Sequence, residues 1–104
     1  MPFQTITPRP FTTTAIQIYA PAAAGVYGIT NAREWIFIGE SDNIQGALLD
    51  HLRNSGTSLM QHQPAGFVYE TCVGEQRKTR QGRLVTEYTP ICNLAATGRE
   101  NSYR

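Results

Sequence analysis

The chain has 104 residues, 40% of them apolar and 16% charged, and a net charge of +1. This size and composition suit one small soluble domain, and the near-neutral charge means that any nucleic-acid surface must be a local patch. No apolar run approaches the ~18 residues of a membrane span, and Met1–Thr5 lacks the features of a signal peptide. Cys72 and Cys92 lack metal-ligand spacing. We therefore predict a cytoplasmic protein with reduced, buried thiols.

We predict a single domain over residues 1–104. Residues 1–12 contain three prolines, which favour an extended or irregular lead-in, and the polar residues 95–104 are typical of a frayed tail. The first strand is predicted at Ala15–Tyr19, because Ala15, Gln17 and Tyr19 alternate with two isoleucines.

A hairpin follows, with strands at Val26–Ile29 and Trp35–Ile38 joined by a turn at Asn31–Glu34. The second of these strands is continuously apolar rather than alternating, which is typical of a strand covered on both faces. We therefore expect Trp35–Ile38 to lie in the centre of the sheet.

Two helices and one more strand complete the pattern. Ser41-Asp42 offers a cap for a helix over Asn43–Asn54, where leucines follow Ile44 at four-residue steps. A strand is predicted at Phe67–Cys72, and Glu75–Tyr88 has a helical apolar face. The expected fold is α+β: a small, mainly antiparallel sheet with two main helices packed on it.

The order of these motifs resembles the GIY-YIG nuclease family, from Gly25 to Asn93, about two-thirds of the chain. Gly25-Val26-Tyr27 is similar to the first half of the family motif, and Phe37-Ile38-Gly39 to the second, with Phe replacing Tyr. His51 falls where family members often carry histidine. Pro90 and Asn93 are similar to the closing P-x-x-N of the family.

The resemblance implies a metal-assisted phosphodiesterase, in which a fixed cation and a carboxylate-bound Mg²⁺ stabilise the phosphate charge. Here the position of the family's arginine holds Ala47, and the position of its metal-binding glutamate holds Gln81. Phe37 lacks the phenol of the second motif. The residues therefore favour a protein that is not an enzyme, binds no metal and needs no cofactor.

The vestigial site implied by the resemblance comprises six residues: Tyr27, Phe37, Ala47, His51, Gln81 and Asn93. No catalytic role is expected of them. Tyr27 and His51 suit packing between sheet and helix, while Gln81 suits a structural hydrogen bond to Tyr27. Asn93 suits a side chain that ties the last helix to the hairpin.

A dense positive cluster on the last helix is the candidate nucleic-acid surface: Arg77, Lys78, Arg80 and Arg83. We predict a non-catalytic GIY-YIG-like binding module whose partner is nucleic acid or another protein. The alternatives are a Mg²⁺-dependent DNA endonuclease with a rearranged site, where Arg77 supplies the cation, and a structural or regulatory module that binds a protein.

Overall fold

The computed structural model describes residues 3, 7–54 and 58–93. The elements in chain order are β1 (Arg9–Pro10), α1 (Thr13–Tyr19), β2 (Gly25–Thr30), β3 (Trp35–Ser41), α2 (Ile44–Arg53), α3 (Ser58–Gln61), β4 (Gly66–Thr71) and α4 (Glu75–Tyr88). The strands form one sheet in the order β1-β4-β2-β3, and every pairing is antiparallel. The expected α+β fold with a small antiparallel sheet is confirmed. The predicted tail at 95–104 lies outside the described residues.

Two apolar clusters cover the two faces of the sheet. On one face, α1, α2 and α3 pack over Tyr27, Ile29 and Phe67. On the other face, α4 packs over Val26 and Ile38. Side chains of β2 alternate between the two clusters, and all six of its residues are buried, because successive side chains of a strand point to opposite faces.

Three aromatic side chains pack together on the α4 side of the sheet. The ring of Phe3 lies parallel to the indole of Trp35, with centroids 5.7 Å apart, and the ring of Tyr88 packs on the same indole at 4.2 Å. The backbone N–H of Phe3 donates to the hydroxyl of Tyr88 at 3.3 Å. A Cβ at Gly28 would lie 2.6 Å from the indole, so glycine lets Trp35 lie against the strand. These contacts fix Phe3, the first described residue, on the apolar cluster between α4 and the sheet.

The strand predicted at Ala15–Tyr19 is wrong, because this segment is the helix α1. The hydroxyl of Thr12 accepts a hydrogen bond from the N–H of Ala15 and so caps the helix. Ala15 and Ile16 are buried, whereas Ile18 is 66% exposed. The two isoleucines therefore do not share a buried face, as they would in a half-buried strand.

The expected central position of Trp35–Ile38 is also wrong, because β3 lies at the edge of the sheet and β2 lies inside it. The apolar run itself is explained by a register shift in the pairing of β3 with Ile29 and Thr30, which places Ile36 in the cluster on one face and Ile38 in the cluster on the other. Coverage of both faces of a strand does not require a neighbouring strand on each side.

The cap of α2 also differs from the prediction. The side chain of Asn43 accepts from the N–H of Gly46 at 3.0 Å, so Asn43 is the N-cap rather than Ser41 or Asp42. Ser41 instead accepts from the N–H of Asn43 at 2.9 Å. The Ser41 hydroxyl thus orders the turn between β3 and α2.

Candidate functional site

Tyr27 lies at the centre of the candidate site, on β2 and facing the α2 side of the sheet. It is 4% exposed, and its hydroxyl lies 2.8 Å from Nε2 of His51 on α2. Its strand partner is Gly39 on β3. A Cβ at Gly39 would lie 2.5 Å from the Tyr27 hydroxyl, so only glycine leaves room for the phenol. This contact explains why a tyrosine and a glycine occur together in the hairpin.

Phe37 completes an aromatic group with Tyr27 and His51. The ring centroid of Phe37 lies 5.2 Å from that of His51 and 6.2 Å from that of Tyr27, and both pairs are tilted. Such tilted contacts at these distances stabilise aromatic packing. The three side chains are brought together as one packed unit, with the Tyr27–His51 hydrogen bond inside it.

The charge states of this pair follow from its burial. Desolvation raises the pKa of the Tyr27 phenol far above its usual value, and the negative charges of Glu40 and Asp50 raise it further. Desolvation lowers the pKa of His51, and the nearby charge of Asp50 opposes this shift. Both groups are therefore neutral at pH 7, and Tyr27 does not supply a phenolate to act as a base.

Stability should fall with acidification because of His51. Its folded-state pKa lies below the unfolded value of about 6.5, so the unfolded chain takes up the proton first as the pH falls. The contribution of neutral His51 is present above that value and lost below it. We expect His51→Gln, which can still bond to Tyr27, to show a shallower loss of unfolding free energy between pH 7.5 and 5 in urea titrations. Parallel pH profiles for the variant and the wild type would contradict this.

Two amide side chains meet the backbone of Ile38 at the edge of the sheet. Asn93 accepts from the N–H of Ile38 at 2.6 Å and donates to its carbonyl at 2.9 Å. Gln81, which is partly buried on α4, donates to the same carbonyl at 3.1 Å. Gln81 does make a structural hydrogen bond, but its partner is the carbonyl of Ile38 and not Tyr27, whose hydroxyl contacts His51. Asn93 ties the segment after α4 to the hairpin.

Ala47 lies on α2, one turn before His51, and packs against the same cluster as Tyr27. Its methyl group supplies neither charge nor a hydrogen-bond donor to the site. The wall of the site formed by α2 therefore combines an apolar residue with a neutral histidine.

The positive cluster on α4 is partly neutralised by acids of the sheet. Arg80 makes two hydrogen bonds to the carboxylate of Glu70 on β4, at 2.7 and 2.9 Å. Nε of Arg77 lies 2.6 Å from Oε1 of Glu40 on β3. This second pair is in ionic contact without hydrogen-bond alignment, since neither atom has an aligned partner within residues 7–54 and 58–93. Lys78 and Arg83 are exposed.

These ion pairs were not predicted from the sequence. The acids come from strands 10 and 37 residues earlier in the chain, so inspection of the helix alone shows only positive charge. A usable signal is present, because Glu40 and Glu70 both lie near the ends of predicted apolar strands. An acid in that position requires a counter-charge when a helix packs over the sheet.

The residues present do not fit a catalytic divalent cation. Within residues 7–54 and 58–93, no group of three or more His, Cys, Asp or Glu side chains is placed to hold a metal ion. Gln81 directs its amide nitrogen to Ile38, and the carboxylate of Glu40 is held by Arg77. Hard divalent cations need several oxygen ligands, of which carboxylates are the most effective.

No family model matches the sequence, and no curated protein matches it. Two solved structures do match the fold. Both are crystal structures of the GIY-YIG N-terminal endonuclease domain of UvrC from Thermotoga maritima, each with one tyrosine-to-phenylalanine mutation and a bound catalytic divalent cation. The TM-score is 0.60 for each, at 18% and 20% identity, covering 72% of this chain and 90% of that chain. The chain therefore has a GIY-YIG-like fold.

Proposed function

We propose that this chain is a non-catalytic GIY-YIG-like domain that acts as a binding module for nucleic acid. One observation supports the loss of catalysis above the others: Gln81 holds the backbone of Ile38 with its amide, at the position where the family places a metal-binding carboxylate. Ala47 adds to this, because the position of the family's phosphate-binding arginine holds an uncharged side chain.

The state of Tyr27 supports the same conclusion. A tyrosine that activates water must accept a proton or carry a negative charge at working pH. Burial keeps Tyr27 neutral and its hydroxyl is engaged by His51. Tyr27 is therefore a packing residue of the site.

The α4 surface is the proposed contact for nucleic acid. Lys78 and Arg83 are exposed, and no acid among the described residues pairs with them, so both can contact phosphates. Arg77 and Arg80 are instead positioned by Glu40 and Glu70. Because the whole chain has a net charge of only +1, local phosphate contacts must provide the affinity.

A module that binds a protein is the second candidate. The two ion pairs favour it, because a helix whose cations are half neutralised attracts phosphates less strongly. A mixed-charge surface of this kind also fits the polar rim of a protein interface. A test with nucleic-acid probes separates the two candidates.

We expect no cleavage of plasmid DNA in Mg²⁺ or Mn²⁺, and salt-sensitive retardation of DNA or RNA probes by the wild type. The double variant Lys78→Ala/Arg83→Ala should weaken binding to every probe and reduce the salt slope by roughly 2, because two phosphate contacts are lost. Arg53→Ala, an exposed arginine of α2, is the matched control and should bind as the wild type does.

Two results would overturn the proposal. Nicking that survives repurification and is lost in Tyr27→Phe would establish a nuclease. Absence of retardation by the wild type at low salt would instead favour the module that binds a protein.

A further inference from the structure

The outer edge of β4 is paired over only part of its length. β1 pairs with the first two residues of β4, whereas β4 continues to Thr71. The N–H of Cys72, which follows the strand, donates to the carbonyl of Ala24 at 3.1 Å and so points toward β2. Backbone groups of successive strand residues point in opposite directions within a sheet, so those of Tyr69 and Thr71 point outward. No described residue bonds to them.

The opposite edge of the sheet differs in this respect. On β3, the side chain of Asn93 bonds to both backbone groups of Ile38, and Gln81 bonds to the same carbonyl. Proteins commonly block an edge with side chains, prolines or charges, because an unpaired edge attracts another extended chain. β4 contains no proline, and no described side chain bonds to the backbone of Tyr69 or Thr71. This edge of the sheet is therefore able to accept a strand.

A cleft of about 510 Å³ lies beside the unpaired part of β4. Glu70 and Cys72 line it on the side of the sheet, and Thr79, Arg80 and Arg83 line it on the side of α4. Among the described residues, its lining comes only from α4, its first turn included, and from the end of β4. The cleft therefore lies at the outer edge of the sheet, where a strand added to β4 would direct alternate side chains into it.

The charges of the cleft indicate which side chain fits. Arg80 and Glu70 satisfy each other through two hydrogen bonds, so this pair adds no net charge. Glu75 lies in the first turn of α4, where the helix dipole stabilises a negative charge. Arg83, about two helical turns further on, is exposed, and no acid among the described residues pairs with it. A carboxylate therefore fits the Arg83 end of the cleft.

We propose that this edge of β4 binds an extended, acidic peptide segment of a partner protein, which adds a strand antiparallel to β4 and in line with β1. β1 shows that the edge accepts an extended segment, because it pairs antiparallel to β4 and the N–H of Phe11 then donates to the carbonyl of Ala65 at 2.9 Å. Main-chain hydrogen bonds to Tyr69 and Thr71 provide affinity, as in other domains that bind peptides by strand addition. The proposal goes beyond the nucleic-acid contact of α4 and does not depend on it.

The side chains of the peptide follow from the alternation of the strand. Directly opposite residues of paired strands have their side chains on the same face. Val68 and Glu70 face α4, so the peptide residues opposite them face the cleft, where an acidic side chain meets Arg83. Tyr69 faces the α2 side, and its ring is only partly buried. An apolar peptide residue packs on that ring, so acidic and apolar residues alternate in the expected ligand.

The probe is a capped, fluorescent hexapeptide of alternating valine and glutamate. It should bind the wild type, and hydrogen exchange of the Tyr69 and Thr71 amides, measured by NMR, should slow when it is bound. Methylation of the valine nitrogens should weaken binding by roughly tenfold or more, because these nitrogens face β4 and lose their hydrogens. Methylation of the glutamate nitrogens, which face away from β4, should weaken binding less.

Thr71→Pro is the matching change in the protein. Proline removes an N–H that points away from β2, so the pairing inside the sheet is kept while the added strand loses a donor. Binding of the glutamate peptide should be lost in Thr71→Pro and unchanged in the control Thr71→Ala. Arg83→Glu should bind a valine–lysine hexapeptide in preference to the glutamate peptide, and this variant tests the site even if Thr71→Pro does not fold.

Several results would overturn the proposal. One is the absence of binding by the wild type at peptide concentrations up to about 1 mM. Another is equal weakening by methylation of either set of nitrogens, since the peptide backbone would then not pair with β4. A dimer in light scattering that is lost in Thr71→Pro would assign the edge to a second copy of the chain. Loss of nucleic-acid retardation in Thr71→Pro, but not in Thr71→Ala, would assign it to nucleic acid.

Discussion

Replacement of Asn93 by alanine should reduce the free energy of unfolding by about 2–4 kcal/mol, because two hydrogen bonds to a buried strand are lost together. Asn93 is 9% exposed and satisfies both the N–H and the carbonyl of Ile38. After the substitution, Gln81 still donates to the carbonyl, but the N–H of Ile38 loses its partner. Urea unfolding followed by circular dichroism measures this change.

Asn54→Ala is the matched control for this experiment. The Asn54 amide also donates to a backbone carbonyl, that of Asp50 at 2.7 Å, but it lies at the exposed end of α2. Substitutions on the surface usually change stability by less than about 0.5 kcal/mol. If Asn93→Ala reduced the free energy of unfolding no more than Asn54→Ala does, Asn93 would not stabilise the edge of β3.

Gln81→Glu should destabilise the fold by roughly 1–3 kcal/mol at pH 7, the range for a buried polar group without a partner. The new carboxylate cannot donate to the carbonyl of Ile38 and faces its partial negative charge. Two carboxylates, at 40 and 81, would then share the single guanidinium of Arg77. The resulting repulsion adds to the lost hydrogen bond.

The loss should be smaller at pH 4. The surroundings raise the folded-state pKa of the new carboxyl above the unfolded value of about 4.3. The folded state therefore favours the protonated form, which can donate to Ile38, and this stability is lost as the pH rises. Gln76→Glu, at an exposed position in the first turn of α4, should change stability little. An unchanged melting temperature for Gln81→Glu at pH 7 would contradict the placement of Gln81.

The long elements were predictable because their periodicity is clear. The helix Glu75–Tyr88 was predicted with the bounds that the structure has, and the hairpin strands differ from prediction only at their ends. In each element the apolar residues recur with the period of a helix or of a strand, and the flanking residues end the element. The order of these elements along the chain then supported the resemblance to the GIY-YIG family.

The segment 13–19 was not predictable in this way. Seven residues span about two helical turns, and alternating β-branched residues suit a strand as well as a helix. The decision comes from tertiary contacts, since Ala15 and Ile16 pack into the cluster formed with α2. The cap at Thr12 was a local signal for the helix.

Strand order and ion pairs depend on contacts between distant parts of the chain. The sequence of Trp35–Ile38 suits an interior strand as well as an edge strand whose free backbone groups bond to side chains. Likewise, the positive charge of Arg77 and Arg80 is visible in the sequence, but their pairing with Glu40 and Glu70 depends on how α4 crosses the sheet. The ion pairs of α4 were therefore not predictable from the sequence.

The stack of Phe3 on Trp35 gives this protein an intrinsic optical probe. Trp35 is the only tryptophan in the chain, and its indole lies against Phe3 and Tyr88 in the cluster on the α4 side. Tyr27 and its neighbours belong to the cluster on the opposite face. Tryptophan emission therefore reports the attachment of Phe3 at the beginning of the chain, separately from events at the Tyr27 site.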